Sequence, residues 1–456
     1  MMVLGGATAC TDFIEIDPEN KVPEQGVDFT NKNNMYQPVV GAYSKVRTQG
    51  MHWCNALLMF TRDGDVWSGR TDDQGDAVAF GRKFNYNNSF WALNQVWMNF
   101  YDIIRITNAA LQSLDGYAEY LAAGSEDYKT YESYCGEVRT IRAWAYYCLV
   151  TNFGPTVIYR DNLQTDFRRS TVEAVYNYML EDLNYAIDKL PRMRPNQMEH
   201  KGAVTAFTAQ ALAARIYLLK GDYAQVETLT DDIIKNGGFR LYDDFYQLFK
   251  IPGKLCDESL FECQVTDYGN GSGDYLGVDQ WFNFQGPNMA ERYDEVVNAD
   301  GTISYKQAEG TKSIGGWNFI GYEPEFVAWA EARGEGVRAE TSFLKALSKT
   351  REGWQVGPTS ATKTDCWNGK GYLPYNQMTL PRTTYGANNN VRIIRYAEVL
   401  LNYAEAKAEL GSLSPDDLNI TVNEIRSRVG MPALTMRDLD KQPDWYLSSE
   451  EYGYPN

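Results

Sequence analysis

The feature that most constrains this chain is a punctuation that recurs. An amphipathic run closes on glycine, and a residue able to cap a new helix follows at once. Ala203 to Lys220 closes at Gly221, and Asp222 can cap the run that continues to Asn236 and stops at Gly237-Gly238. Glycine takes the left-handed conformation that ends a helix, and an aspartate oxygen accepts the unpaired N–H groups that begin the next one. So short a link forces the two helices back onto each other, and the alanines of Ala203–Lys220 mark where a neighbouring helix can approach closely.

The same grammar extends in both directions. From Trp91 to Gly238 the chain reads as successive helices. Ser170 with Glu173 forms a capping box, Val172, Val175, Tyr176, Met179, Leu183, Ile187 and Leu190 mark one apolar face, and Pro191 stops the run. Near the end, Arg392 to Leu410 is amphipathic and closes at Gly411. Ser414-Pro415-Asp416-Asp417 then starts a helix that closes near Gly430. Hairpins of this kind are similar to tetratricopeptide hairpins, although the match to the full repeat consensus is loose. The fold class expected is therefore mainly α, with helical hairpins over about 91–238 and 391–430.

Between them, over about 239–390, the pattern fails. Glycines and isolated tryptophans dominate, as in Tyr268-Gly-Asn-Gly-Ser-Gly-Asp-Tyr275, Gly315-Gly-Trp317-Asn318 and Trp367-Asn-Gly. Short strands and long ordered loops are expected there. Long loops carried on a rigid scaffold are where binding sites usually lie. The helical pattern resumes afterwards, so this portion is expected to pack on the scaffold as part of one domain, 21–456, preceded by an anchor and linker at 1–20.

Charge and composition narrow the function. The formal net charge of -17 argues against nucleic acid, whose binding needs Lys and Arg to neutralise phosphates, and against an anionic membrane surface. With His52 and His200 the only histidines, a multi-histidine zinc site is excluded. Seven cysteines, none in a C-x-x-C pair, indicate no disulfide framework, and Cys148 in its apolar run reads as a small buried hydrophobe. The surplus lies in 32 Tyr and 11 Trp, flat apolar faces with polar edges that suit amphipathic ligands. No cofactor is implied.

No run approaches the roughly 18 apolar residues of a transmembrane helix. The start, Met-Met-Val-Leu-Gly-Gly-Ala-Thr-Ala-Cys10, resembles the tail of a bacterial lipoprotein signal, with small residues leading to a cysteine that is acylated. The basic n-region is missing and Ala7 stands where leucine is commoner. The alternative is a plain terminus with an incidental cysteine. Two or three acyl chains on Cys10 would anchor the protein stably, each buried CH2 contributing about 0.8 kcal/mol.

Several segments, taken in order, resemble the SusD/RagB family of surface glycan-binding lipoproteins of Bacteroidota. They are Cys10-Thr-Asp-Phe-Ile-Glu, Gly41-Ala-Tyr43, Tyr101-Asp-Ile-Ile-Arg-Ile-Thr-Asn108, and Gly136-Glu137-Val-Arg139-Thr-Ile-Arg142-Ala-Trp144-Ala-Tyr146 with Phe153-Gly154-Pro155. Glu181-Asp182-Leu183 and Ala213-Ala-Arg215-Ile-Tyr217 through Gly221-Asp222-Tyr223 follow. The strongest is Ile394-Arg395-Tyr396-Ala397-Glu398 through Tyr403-Ala404-Glu405-Ala406, followed by Asn423-Glu-Ile425-Arg426-Ser-Arg428-Val-Gly430-Met431-Pro432. The resemblance implies tetratricopeptide-like hairpins carrying an irregular ligand-binding portion, a lipid anchor in the outer membrane facing outward, and a SusC-like TonB-dependent transporter as partner. The protein would sit over that barrel as a lid and deliver oligosaccharide into it. Family members continue past Gly-Met-Pro into a helix rich in Glu and Arg; here Met436 to Asn456 is short, polar and tyrosine-rich, which suggests truncation or a differently closed core.

Sugars stack one C–H face on Trp or Tyr and bond their hydroxyls to Asn, Asp, Gln and Arg. Each such hydrogen bond nets only about 1 kcal/mol, because water is displaced, so micromolar to millimolar binding is expected. The candidate ligand contacts are Asp65, Trp67, Asp73, Asn88 and Trp91 before the first hairpin, and Tyr275, Trp281, Trp317, Asn318, Trp354 and Trp367 in the irregular portion. Trp97 and Trp144 lie in amphipathic helices and read as core. Glu137, Arg139 and Arg142, like Arg395, Glu398 and Glu405, read as ion pairs between hairpins rather than as catalysts. Asp72, Asp73 and Asp76 lack EF-hand spacing and read as an incidental acidic loop rather than a calcium site. Two other functions stay open: a glycoside hydrolase, which needs two carboxylates about 5 to 10 Å apart across a cleft, and a repeat scaffold binding peptide in a concave groove.

Overall fold

A computed structural model describes residues 26–55, 65–68, 90–265, 285–316, 318–358, 365–378 and 388–439. Helix α1 (Gln37–Lys45) runs into a π-helical turn at Val46–Gly50 and packs against α2 (Trp91–Ala118). Then α3 (Glu126–Phe153), α4 (Val172–Lys189), α5 (Ala206–Lys220) and α6 (Tyr223–Asn236) each pack on the helix before. The fold is mainly α, as the periodicity predicts.

Local chemistry sets these boundaries. The Ser125 side chain accepts the N–H of Tyr128 at the start of α3, and Asp222 accepts that of Gln225 at the start of α6. Gly221, at φ +70°, ends α5. The expected Ser170 cap moves one residue on. The Thr171 hydroxyl accepts the N–H of Ala174, while the Ser170 N–H donates to the Thr156 carbonyl at 2.7 Å. Helix α5 is buried from Ala206 through Ala214, so it has no polar face and runs through the middle of the stack.

The main core is centred on Trp144, which is 1% exposed and meets Phe100 and Phe261 edge to face at 5.7 and 5.9 Å. Gly50 makes room for it: a Cβ there would lie 2.6 Å from the indole ring. Trp97 is half-buried, edge to face with Phe153 at 5.2 Å. The six described cysteines are free thiols, Cys148 buried among them.

Ion pairs stitch the hairpins together. Arg142 on α3 donates Nε and Nη2 to both oxygens of Asp182 on α4, at 2.8 and 2.7 Å, and Nη1 to Asn108 on α2 at 2.8 Å. Arg139 adds a third contact to Asp182 at 2.9 Å. Glu137 departs from the expected ion pairing and accepts the Tyr43 and Tyr36 hydroxyls. Glu405 is exposed and makes no ion pair among the described residues.

The segment expected to be helical from Arg392 divides in two. After the short helices α7 (Pro324–Ala332) and α8 (Val337–Ser342) of the irregular portion, Val391–Arg395 is strand β11, paired antiparallel with β2 (Ser259–Cys263), and the helix α9 begins only at Tyr396 and ends at Glu409. Three β-branched residues in five favour the extended form once a buried partner strand is present. Helix α9 packs on α6, and Arg215 of α5 grips the Glu398 carboxylate. Arg395 and Arg428 share the fully buried Glu258, at 2.7 and 2.6 Å. After Gly411 the Ser414/Asp417 capping box opens Pro415–Leu418, which continues through a π-helical turn at Asn419–Asn423 into Glu424–Arg428. Gly430 follows with φ +75°.

The irregular portion is built from short strands. In one sheet β1 (Val66–Ser68), β7 (Ile320–Tyr322), β10 (Cys366–Asn368) and β8 (Phe343–Lys345) lie side by side. A second contains β6 (Ser313–Ile314), β3 (Met289–Ala290) and β9 (Gln355–Val356), and β4 (Tyr293–Val297) with β5 (Ile303–Gln307) forms a hairpin. These strands close a second core around Trp367, Tyr372 and Leu344, while Phe319 and Ile320 belong to the main core.

Candidate functional site

The site begins where the helical hairpins and the irregular portion meet. Trp53 follows the π-helical turn, Trp91 opens α2, and Phe319 leads into β7. The Trp53 ring centroid lies 5.4 Å from that of Trp91 and 6.3 Å from that of Phe319, both at oblique angles. His52 stacks beside Trp53 at 5.9 Å. Phe319 is buried in the main core and backs Trp53 from behind, so the arc of rings that reaches the surface is the half-buried Trp53 and Trp91.

Local structure decides which ring faces out. Phe90 is extended at the N-cap of α2 and 8% exposed, so it drives into the core. Trp91, one residue on, is turned outward and 50% exposed. A ring with one apolar face in water is what C–H stacking needs. Burial holds His52 below the ordinary imidazole value, so it is neutral at pH 7 and adds no charge to the arc.

Behind the arc runs a chain of amides. Gln95 Nε2 donates to Asn99 Oδ1 at 2.8 Å, Asn99 Nδ2 to Asn55 Oδ1 at 3.4 Å, and Asn55 Nδ2 to the Gly50 carbonyl at 2.6 Å. Asn55 and Asn99 are buried, so their bonds fix the base of the Trp53 segment against α2. Alongside α2 lies a cavity of about 560 Å³ whose lining includes Gln49, Gln95, Trp97, Arg105 and Asn162.

The structure brings together parts of both candidate regions. Strand β1 pairs with β7, Trp67 opposite Gly321, and the Glu323 N–H donates to the Asp65 carbonyl at 2.9 Å. Asp65 is exposed. Trp67 is placed by its backbone alone. Cys10, Asp73, Asn88, Tyr275, Trp281 and Trp317 lie outside the described residues, as do Asp72 and Asp76.

Two expected contacts are corrected. Trp367 is 1% exposed, in the strand between β7 and β8, and offers no ring face to a ligand. Asn318 is buried with φ +53°, donates its N–H to the Gly286 carbonyl, and accepts the Asn288 N–H on its side chain at 2.9 Å. It is a turn residue, and asparagine tolerates the left-handed region better than most. Trp354 is half-buried and stacked on Tyr375 at 4.7 Å, against the second core.

Trp53 is the site residue that the sequence reading missed, with Phe319, 3% exposed, backing it from the main core. Trp53 sits in a short stretch without periodicity, and its partners are remote in the chain. The one available signal was adjacency, His52-Trp53 beside a break between helical runs.

Of the buried carboxylates, Glu137 is pushed up to about 7, first by burial and against the Tyr43 and Tyr36 hydrogen bonds. It lies between α1 and α3 and lines neither the α2 cavity nor the cavities beside Lys349 and Arg215. No helix of the described residues is long and apolar enough to cross a membrane.

Two family models match the chain. Residues 12–218 match a family described as starch-binding and associating with the outer membrane, and residues 278–452 match the SusD family. A SusD-like protein of Bacteroides ovatus is 24% identical over 385 residues, covering 77% of this chain. The chain spans 62% of the length of that curated relative. A laminarin-binding SusD-like protein superposes with a TM-score of 0.71 at 20% identity, over 89% of this chain and 86% of that one. Surface glycan-binding protein A from Bacteroides thetaiotaomicron, solved with laminarihexaose, gives 0.66 at 19% identity, over 89% and 85%. The Bacteroides fluxus protein of the same name gives 0.69 at 22%, over 89% and 84%.

Proposed function

The chain belongs to the SusD family, and from that premise we propose that it captures oligo- or polysaccharide at the cell surface without chemical turnover. The bound glycan passes to a SusC-like TonB-dependent transporter in the outer membrane, to which an acylated Cys10 tethers the protein. The observation that carries this reading is the pair of Trp53 and Trp91, backed by the buried Phe319, with the Trp91 indole half in water.

Physical chemistry supports capture over catalysis. Stacking on an open arc is tolerant and weak, which suits hand-over. A glycosidase acid has a raised pKa inside its sugar cleft. Here the carboxylate raised to about 7, Glu137, is covered by Tyr36 and Tyr43. Among the solved relatives one is a laminarin-binding protein and one holds laminarihexaose, which makes β-glucans the first polysaccharides to try.

The test is affinity electrophoresis of the purified protein through gels carrying a polysaccharide panel, with product analysis on every hit. Retardation by at least one polysaccharide, without release of shorter sugars, is expected. Release of shorter sugars would overturn the non-catalytic reading, and migration unaffected by the whole panel would overturn the glycan one.

A further inference from the structure

The cavity beside α2 has a chemistry and a placement that the aromatic arc alone does not use. Trp91, Gln95, Met98, Asp102 and Arg105 are spaced four, three, four and three residues apart, so they share one helix face. From Trp91 to Arg105 is fourteen residues, a rise of about 21 Å. The arc therefore lies at one end of a continuous stripe, and the cavity of about 560 Å³ opens along the rest of it.

Its lining pairs apolar faces with unspent polar groups. Trp97, Tyr101 and Tyr159 give aromatic surface, and Met98 is 56% exposed. Gln95 spends its Nε2 on Asn99 and Asn162 its Nδ2 on the Arg105 carbonyl, which leaves both side-chain oxygens without a partner among the described residues. The Gln49 amide and the Trp97 indole N–H likewise make no hydrogen bond there. Arg105 uses Nη2 on Asp102 at 2.6 Å and is 61% exposed, so the rest of its guanidinium faces water. Lys45 neutralises the same aspartate at 2.6 Å. Amide oxygens, amide and indole donors and a guanidinium beside aromatic faces match a hydroxyl-rich ring with C–H faces. By contrast, the cavity between α3, α5 and β11 is walled mainly by Trp144, Leu218, Ile393 and the spent Arg215–Glu398 pair.

We propose that this cavity is an extension subsite, taking the sugar rings of a glycan chain that continues past the Trp53–Trp91 arc along α2. The inference rests on the glycan reading above and adds a selectivity to it. Long chains fill the arc and the cavity together, while mono- and disaccharides fill the arc alone.

The test uses protein labelled with ¹⁵N in tryptophan, titrated with laminaribiose and laminarihexaose and with maltose and maltohexaose. With at least one hexasaccharide, the indole signals of both Trp91 and Trp97 are expected to move; with its disaccharide, Trp91 alone. The double variant Arg105→Ala, Asn162→Ala should weaken the hexasaccharide about thirtyfold, which corresponds to about 2 kcal/mol for two lost hydrogen bonds, and leave the disaccharide within twofold. Movement of Trp91 without Trp97 in every titration would overturn the extension subsite and leave the glycan reading standing. Stillness of both signals throughout would overturn the subsite as stated; failure in the polysaccharide gels as well would remove the parent reading.

Discussion

The hydroxyl of Tyr43 donates to the Glu137 carboxylate at 2.7 Å and accepts the Val204 N–H at 2.9 Å. One phenol thus joins α1, α3 and the segment leading into α5. A second phenol, Tyr36, reaches the same carboxylate while stacking flat on His200 at 3.7 Å. Glu137 is 1% exposed, and no cation pairs with it among the described residues.

That arrangement makes stability depend on pH. Burial raises Glu137 from 4.5 to about 7 in the folded state. A carboxyl with a raised folded value contributes stability that is whole below about 4.5 and lost as pH rises through about 7. The shift corresponds to roughly 3 kcal/mol between those limits. Thermal unfolding followed from pH 5 to pH 8.5 should show this loss in the native protein, and Glu137→Gln should flatten it. Equal slopes for the two proteins would rule the carboxyl out as the source.

Asp182 anchors the opposite case, a carboxylate held by cations. It is 1% exposed and receives Arg142 through two bonds and Arg139 through one. Asp182→Ala strands the Arg142 guanidinium, itself only 6% exposed, and should cost about 3 to 5 kcal/mol in denaturant titration. Pairing it with Arg142→Met should recover part of that loss, because the unpaired charge is then gone.

Trp91→Ala separates binding from stability. The ring is half in water and opens a helix whose cap it does not provide. Unfolding free energy should change by no more than about 0.5 kcal/mol. Affinity for the retained polysaccharide should fall about tenfold, the loss of one stacked face. An unchanged affinity would move the platform away from α2.

Trp367→Ala should do the reverse. Deleting a fully buried indole leaves a cavity in the second core, at about 3 to 5 kcal/mol. Under conditions where the variant remains folded, glycan retardation should persist.

The contrast between those two tryptophans shows what was readable in advance. The hairpins were legible because their signals are local: Asp222 caps, Gly221 stops, and Ser414 with Asp417 closes its own box. Val391–Arg395 misled because a strand and the first turn of an amphipathic helix share the same apolar spacing over five residues, and only the remote β2 decides between them. Ring exposure is further removed still. Trp91 and Trp367 both looked like isolated tryptophans beside irregular sequence. What distinguishes them is Phe90 sinking in place of its neighbour in one case, and strands on both sides in the other. Trp53 became a site residue through contacts with Trp91 and Phe319, which no window of sequence contains.

The pairing of β1 with β7 carries a consequence in time. Trp67 and Gly321 face each other across the sheet, yet all the helices from α2 to α6 lie between them in the chain. Each helical turn can form from near neighbours, whereas this ladder must wait until most of the polypeptide exists and a long loop has closed. The sheet beside the site is therefore a property of the finished molecule. A half-made chain emerging from synthesis already has its helical scaffold with Trp53 and Trp91, and still lacks β7 and the Phe319 before it that backs Trp53.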